Sequence, residues 1–216
     1  MEQPFISWAE KQLGGNIVVN REVCGNQSTV YNLATPQGNY FLKIAPDLEQ
    51  ERQSIEKVSG KLPVPKVIAF ACIGDKDALL LSALPGDNLK KFSKEWPVEK
   101  IIDKMVETLR ELHNVNTEIY SDDGNIEGKV IVHGDACLPN FIFEGDKFSG
   151  FVDLGDMRVD DADVDLAAAV WSLDYNFGKG HGLKFLDKYG VKNPTEEMVE
   201  NLEKKYEEMQ KKWGLL

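Results

Sequence analysis

Up to about residue 84 the chain runs in short apolar stretches separated by turn residues. Residues 17–23, 29–33, 40–44, 67–72 and 78–82 have strand length and composition. Pro36-Gln37-Gly38-Asn39 and Gly74-Asp75-Lys76 supply turns between them. A short helix is expected over residues 5–13, stopped by Gly14-Gly15, and a second over residues 47–58, before the break Pro63-Val64-Pro65. Past Pro85-Gly86-Asp87 the period changes. Ile101, Ile102, Met105, Val106, Leu109 and Leu112 recur at helical spacing, with Pro97 suited to a first turn. Residues 118–128 are polar and turn-rich, whereas residues 141–152 place apolar runs around Glu144-Gly145-Asp146-Lys147 and predict a hairpin. Helices are expected over residues 164–173, 177–186 and 196–209. The pattern is that of an α+β chain with two lobes, 1–84 and 85–216. The first is an antiparallel sheet with an inserted helix; the second is mainly helical and carries the hairpin.

Composition narrows the class. The chain has 216 residues, 42% hydrophobic and 28% charged, with no repeat or low-complexity tract, as in a globular protein able to bury a substantial core. No apolar run reaches membrane-spanning length, and Met1-Glu2-Gln3-Pro4 opens no signal peptide. Cys24, Cys72 and Cys137 are odd in number and far apart, which argues against a disulfide framework and for a reducing cytoplasm. A net charge of −11 disfavours nucleic acid as a partner and suits a cationic small molecule. Solubility alone would explain the same charge, since many of the acids fall on the C-terminal helix.

The chemistry concentrates in Val132-His133-Gly134-Asp135-Ala136-Cys137-Leu138-Pro139-Asn140 and Phe151-Val152-Asp153-Leu154-Gly155. Asp135 and Asn140 stand five positions apart, the spacing of the kinase catalytic loop, in which the Asp accepts a hydroxyl proton and the Asn holds a metal. The hairpin would bring Asn140 and Asp153 to its open end as two Mg²⁺ ligands. Cys137 with His133 is a weaker, nucleophilic alternative. Lys43 ends a strand pattern and needs a carboxylate or phosphate partner; Glu49, Glu51 and Glu56 on the following helix are candidates. Cys24-Gly25-Asn26-Gln27-Ser28 lacks a glycine repeat, but its backbone N–H groups and the Ser28 hydroxyl suit a phosphate cover. The backbone of the connector ending in Ser82-Ala83-Leu84-Pro85 suits an adenine edge, and Phe41 its face.

Residues 133–140, 148–155 and 60–67, with Tyr189-Gly190-Val191 and Pro194, resemble the aminoglycoside 3'-phosphotransferases, antibiotic-resistance kinases with a protein-kinase-like fold. The resemblance covers residues 22 to 194. It implies ATP and Mg²⁺, Asp135 as base, Asn140 and Asp153 as metal ligands, Lys43 on the phosphates and Glu51, by alignment of residues 60–63, as its partner. It makes Asp165 a structural acid opening a helix, a placement that suits the helix dipole. His133 is expected to orient the loop.

Two departures stand out. The position after the metal motif, usually Arg in the family, is Asp156. The long helical insertion ahead of the catalytic loop, part of the family's acceptor pocket, is reduced to the segment 114–130. Asp156, together with Glu207 and Glu208 at the acidic C-terminal end, is the expected contact for the acceptor; Asp160 and Asp161 add to the acidity. The resemblance implies transfer of the ATP γ-phosphoryl group to an aminoglycoside hydroxyl; a cytoplasmic monomer or weak dimer with no membrane partner is expected. Another amino-alcohol or sugar acceptor, and a reduced nucleotide binder, remain alternatives.

Overall fold

In a computed structural model, residues 3–22, 28–120 and 127–216 are described. The chain divides into two compact units, Met1–Leu84 and Pro85–Leu216.

The first unit begins with α1 (Gln3–Gln12), whose Phe5 and Ala9 face the core. Five antiparallel strands follow: β1 (Val18–Glu22), β2 (Thr29–Thr35), β3 (Gly38–Ala45), then, after α2 (Glu49–Val58), β4 (Val67–Ile73) and β5 (Lys76–Ser82). Their order in the sheet is β1-β2-β3-β5-β4. Alternation along the central strands decides which side chains meet α1. Tyr31, Leu33, Leu42, Ile44, Ala78 and Leu80 pack on Phe5 and Ala9, so Phe41 and Lys43 point to the opposite face. The backbone N–H of Leu48, which opens α2, donates to the Asp77 carboxylate at 2.9 Å, an acid well placed at a helix N-terminus.

The second unit opens with the two-residue strand β6 (Asp87–Asn88) and the one-turn helix α3 (Leu89–Phe92), neither marked by periodicity in the sequence. Gly86, at φ +98°, is required here: a Cβ would overlap the Phe143 carbonyl. Helix α4 (Val98–His113) buries Ile101, Ile102, Met105, Leu109 and Leu112. Strands β7 (Val130–Val132), β8 (Phe141–Glu144), β9 (Lys147–Phe151) and β10 (Arg158–Asp160) form two small sheets, β10-β7 and β6-β8-β9. The hairpin β8–β9 is the one expected, and Phe141, Phe143 and Phe151 anchor it in the core. Helix α5 (Asp163–Phe177) is buried from Val164 through Val170, which fits its nearly uniform apolarity, and it packs on α6 (Gly182–Tyr189) and α7 (Glu196–Lys212). The expected helix over residues 177–186 is redrawn: Phe177 closes α5, Gly178 at φ +84° caps it, and α6 starts at Gly182.

Candidate active site

In the first unit, Lys43 Nζ lies 2.7 Å from Glu51 Oε2, and the two side chains are only 14% and 4% exposed. The other two candidate partners are occupied: Arg52 binds Glu49 at 2.5 Å and Glu56 at 2.6 Å. Those bonds hold the Glu49 carboxyl down at about 2. A buried ion pair on a sheet face, with a strand Lys and a helix Glu, is arranged to offer ammonium hydrogens to a phosphate. Ser82 and Ala83 are less open than the sequence suggests. The Ser82 N–H donates to Lys66 O at 2.9 Å and the Ala83 N–H to Asn39 O at 3.0 Å. An adenine edge at these residues would therefore meet carbonyl oxygens and not amides. Ser28 directly precedes β2 and is half-buried; Gly25 and Asn26 lie outside the described residues.

In the second unit the catalytic-loop segment leaves β7 and is fixed by Asp165. This carboxylate, in the first turn of α5 and fully buried, accepts three hydrogen bonds. They come from the His133 N–H (2.8 Å), the Gly134 N–H (2.9 Å) and His113 Nε2 (3.0 Å). Tyr189 in turn hydrogen-bonds His113 Nδ1 at 2.7 Å. His133 Nε2 faces the Val152 carbonyl at 2.9 Å, and a carbonyl only accepts, so Nε2 carries the proton. Its Nδ1 is thereby left to accept the Asp135 N–H at 3.3 Å. His133 thus ties the loop to the residue before Asp153, with both ring nitrogens used inside the protein. Gly134, at φ +92°, lets the chain pass against Asp156, where a Cβ would overlap the Asp156 backbone.

Both Asp135 carboxylate oxygens are engaged. Tyr206 of α7 donates its hydroxyl to Oδ1 at 2.9 Å, and Asn140 donates Nδ2 to Oδ2 at 3.1 Å and to the Asp135 carbonyl at 2.8 Å. Tyr206 also meets Cys137 Sγ at 3.3 Å. Burial pushes the Cys137 thiol well above its usual range, with the Asp135 charge adding to the shift. His133 directs its ring nitrogens to the Val152 carbonyl and the Asp135 N–H and not to Cys137, and a thiol pushed up in this way is a poor nucleophile. Burial likewise pushes the Tyr206 phenol far up, and it remains a neutral donor.

The Val152 N–H donates to the Asn140 carbonyl at 3.1 Å, and Phe141 pairs with Phe151, which brings Asn140 and Asp153 to the open end of one hairpin. Asp153 is exposed and sits at φ +62°, a conformation that costs a non-glycine residue about 1 kcal/mol. Since Asn140 spends its amide nitrogen on Asp135, its Oδ1 is the atom that can face a cation. An amide oxygen and a carboxylate are hard donors of the kind Mg²⁺ takes when phosphates complete its shell. Among the described residues no group of three or more His, Cys, Asp or Glu side chains forms a protein-only metal cage.

The acids expected around the acceptor part ways. Asp156 lies beside the loop, and its carboxyl is raised by desolvation and by the Asp135 and Asp153 charges. Asp160 and Asp161 are ion-paired with Arg158 (2.9 Å) and Lys129 (2.8 Å), so their charge is largely met within the protein. Glu207 and Glu208 are exposed, about 100° and 200° around α7 from Tyr206.

The sequence pattern of the phosphotransferase enzyme family matches residues 21–127 and 125–200. The chain belongs to this family. An aminoglycoside 3'-phosphotransferase of Niallia circulans is 29% identical over 255 residues, covering 92% of this chain and 96% of its own. A probable aminoglycoside 3'-phosphotransferase of Lactococcus lactis is 28% identical over 198 residues, or 70% and 75% of the two chains. Among solved structures, an aminoglycoside-3'-phosphotransferase of type VIII superposes with a TM-score of 0.69 at 18% identity, over 92% of this chain and 97% of the other. A streptomycin–ATP ternary complex of APH(2")-IIa gives 0.66 at 18% identity, over 94% and 88%. The kinase-like α+β fold of these enzymes is therefore the fold of this phosphotransferase.

Two details locate what is shortened. The Niallia alignment runs longer than this chain, so the relative has residues without a counterpart here. The two family matches meet at 125–127, in the connection between α4 and β7, where the sequence predicts a reduced insertion. Tyr206 and Trp213, which hydrogen-bonds Asp156, are missed by sequence reasoning because they sit among glutamates and lysines. The face of α7 formed by Val199, Leu202, Tyr206 and Gln210 is the signal that could have found Tyr206.

Proposed function

We propose that this phosphotransferase moves the γ-phosphoryl group of ATP to a hydroxyl of a polycationic aminoglycoside. The carrying observation is the Asp135 carboxylate, held on one side by Tyr206 and on the other by Asn140, with Asp153 at the same hairpin mouth. In this reading Asp135 takes the proton of the acceptor hydroxyl as it attacks phosphorus. Asn140 and Asp153 hold Mg²⁺, which neutralises phosphate charge when bound. Lys43, kept in place by Glu51, binds the phosphates, with Gly25, Asn26 and Ser28 covering them and Phe41 beside the adenine. The unit Met1–Leu84 serves the nucleotide and the unit Pro85–Leu216 the chemistry and acceptor. Asp156, with Glu207 and Glu208 further out, offers carboxylates to acceptor ammonium groups. The aminoglycoside acceptor is carried over from the names of the relatives and from the streptomycin complex. We read the enzyme as a cytoplasmic monomer or weak dimer.

The test separates base from metal ligand. Asp135→Asn is expected to lose transfer by about 10²–10⁴-fold while keeping its MgATP dissociation constant. Asp153→Ala is expected to lose Mg²⁺-dependent ATP binding in calorimetry. Wild-type turnover in the first variant, or unchanged MgATP affinity in the second, removes the assignment.

A further inference from the structure

An aromatic strip runs along the α5–α7 seam and ends at the base. Tyr175 is 69% exposed and stacks flat on Trp171, with ring centroids 5.1 Å apart and planes at 16°. Trp171 packs on Tyr206 at 4.9 Å, and Tyr206 meets Trp213 at 6.0 Å, edge to face. Tyr206 is only 3% exposed and spends its hydroxyl on Asp135. The surface open to a ligand is therefore formed by Tyr175, Trp171 and Trp213. Carboxylates border it at both ends. Asp156 is hydrogen-bonded by Trp213 and lies near the Asp135 charge. Asp174, one residue before Tyr175, faces Glu203, one helical turn before Tyr206, and Glu203 is ion-paired with Lys179 at 2.9 Å. Asp174 Oδ1 is buried without a hydrogen-bond partner.

Resting on the proposed kinase reading, we propose that Tyr175, Trp171 and Trp213 form the floor of the acceptor site, and that they take an amino-sugar or aminocyclitol ring face-on, with an ammonium group on Asp156. The chemistry of the surface selects that class. The flat C–H face of a saturated ring packs on indole and phenol faces, and an ammonium group gains both a carboxylate and the ring quadrupole. A nucleobase would stack equally well but would bring phosphates toward carboxylates. The platform also changes what holds the acceptor. A purely ionic site loses its ligand as salt screens it, whereas stacking persists. In a chain with a shortened acceptor insertion, the aromatic floor supplies contact area that the missing segment does not.

The experiment compares wild type, Tyr175→Ala and Tyr175→Phe with kanamycin, streptomycin and hygromycin B at low and high salt, with MgATP binding followed separately by calorimetry. Tyr175 is exposed, so its truncation does not open the core. Removing one stacked ring is expected to raise the acceptor KM about fivefold or more, with a larger relative effect at high salt, and Tyr175→Phe is expected to return it to within about twofold of wild type. An acceptor KM in Tyr175→Ala equal to wild type overturns the platform and leaves the kinase reading standing. A Tyr175→Phe variant as impaired as Tyr175→Ala overturns stacking in favour of the hydroxyl. A wild-type enzyme that binds MgATP and phosphorylates none of the three drugs overturns the acceptor reading beneath it.

Discussion

Tyr206→Phe isolates the contact between the C-terminal helix and Asp135, the proposed base. The substitution removes one oxygen and keeps the ring, so packing on Trp171 and Trp213 is conserved. What is lost is the donor 2.9 Å from Asp135 Oδ1 and the neighbour 3.3 Å from Cys137 Sγ. A hydrogen bond to a charged group contributes about 1.5–3 kcal/mol. Asp135 is half-buried, so water takes up part of the vacated lone pair and the lower figure applies. Felt in the positioning of the base, about 1.5 kcal/mol is about tenfold in kcat. Felt in folding, it lowers the melting temperature of a chain of this size by about 3–6 °C. The KM for ATP is expected to stay at its wild-type value, because the contact lies on the base and not on a nucleotide-binding residue.

The ionisation of Tyr206 gives the experiment a second arm. Its folded-state phenol is pushed up from 10, so above about pH 10 the unfolded chain releases a proton that the folded chain retains. Stability therefore falls as pH rises past 10, and Tyr206→Phe removes that share of the fall. Steady-state phosphorylation between pH 6 and 9, with thermal melts carried to pH 11, reads both effects. A variant with wild-type kcat and an unchanged alkaline melting profile would show that the hydroxyl does nothing for the base, and the reasoning would fail.

Two further outcomes test other parts of the molecule. Lys43→Ala and Glu51→Ala should couple, the double variant binding ATP little worse than Lys43→Ala alone, because Glu51 acts only through the Lys43 ammonium; additive losses in calorimetry would separate the two residues. Asp174→Asn should raise the melting temperature by about 1–2 °C at pH 8 and not at pH 4, a small figure because the side chain is only part-buried and solvent screens the shift. Burial and Glu203 lift its folded carboxyl from 3.8 to about 6, so its ionisation costs stability progressively as pH rises from about 4 to 6, and the amide has nothing to ionise; equal melting at pH 8 would refute this.

How much of this was legible in the sequence follows from which interactions have a period or a spacing. The strands, the hairpin and α4 are written as alternation or as helical recurrence, and they lie within a residue or two of expectation. The catalytic loop is written as a spacing: Asp135 and Asn140 are tied by one amide group across five positions. The partner of Lys43 was not legible from local chemistry, since three glutamates on one helix answer the same description. Only Arg52, occupying two of them, leaves Glu51 for the lysine, and which face of α2 meets the sheet is a tertiary fact. The break after Phe177 is signalled by Gly178-Lys179-Gly180-His181-Gly182; what the apolar pattern did not give is that α5 runs on through residues 174–177.

In the C-terminal helix a count of charges and a reading of helix faces single out different carboxylates. Read as composition, α7 is an acidic surface, and Glu207 and Glu208 are the natural contacts for a cationic drug. Read as a helix, the same segment has one buried line, Val199, Leu202, Tyr206 and Gln210, and the glutamates fall to either side of it. The single residue of that line with a hydroxyl reaches the base, and Glu203, one turn earlier, is the acid the helix turns toward Asp174. A net charge of −11 attracts a polycation at long range, where only the sum matters. At contact range the ion pairs of Asp160 and Asp161 remove them from the sum, and the carboxylate of this set left beside Asp135 is Asp156. Asp156 is desolvated and faces the Asp135 and Asp153 charges, and an incoming ammonium would relieve that repulsion.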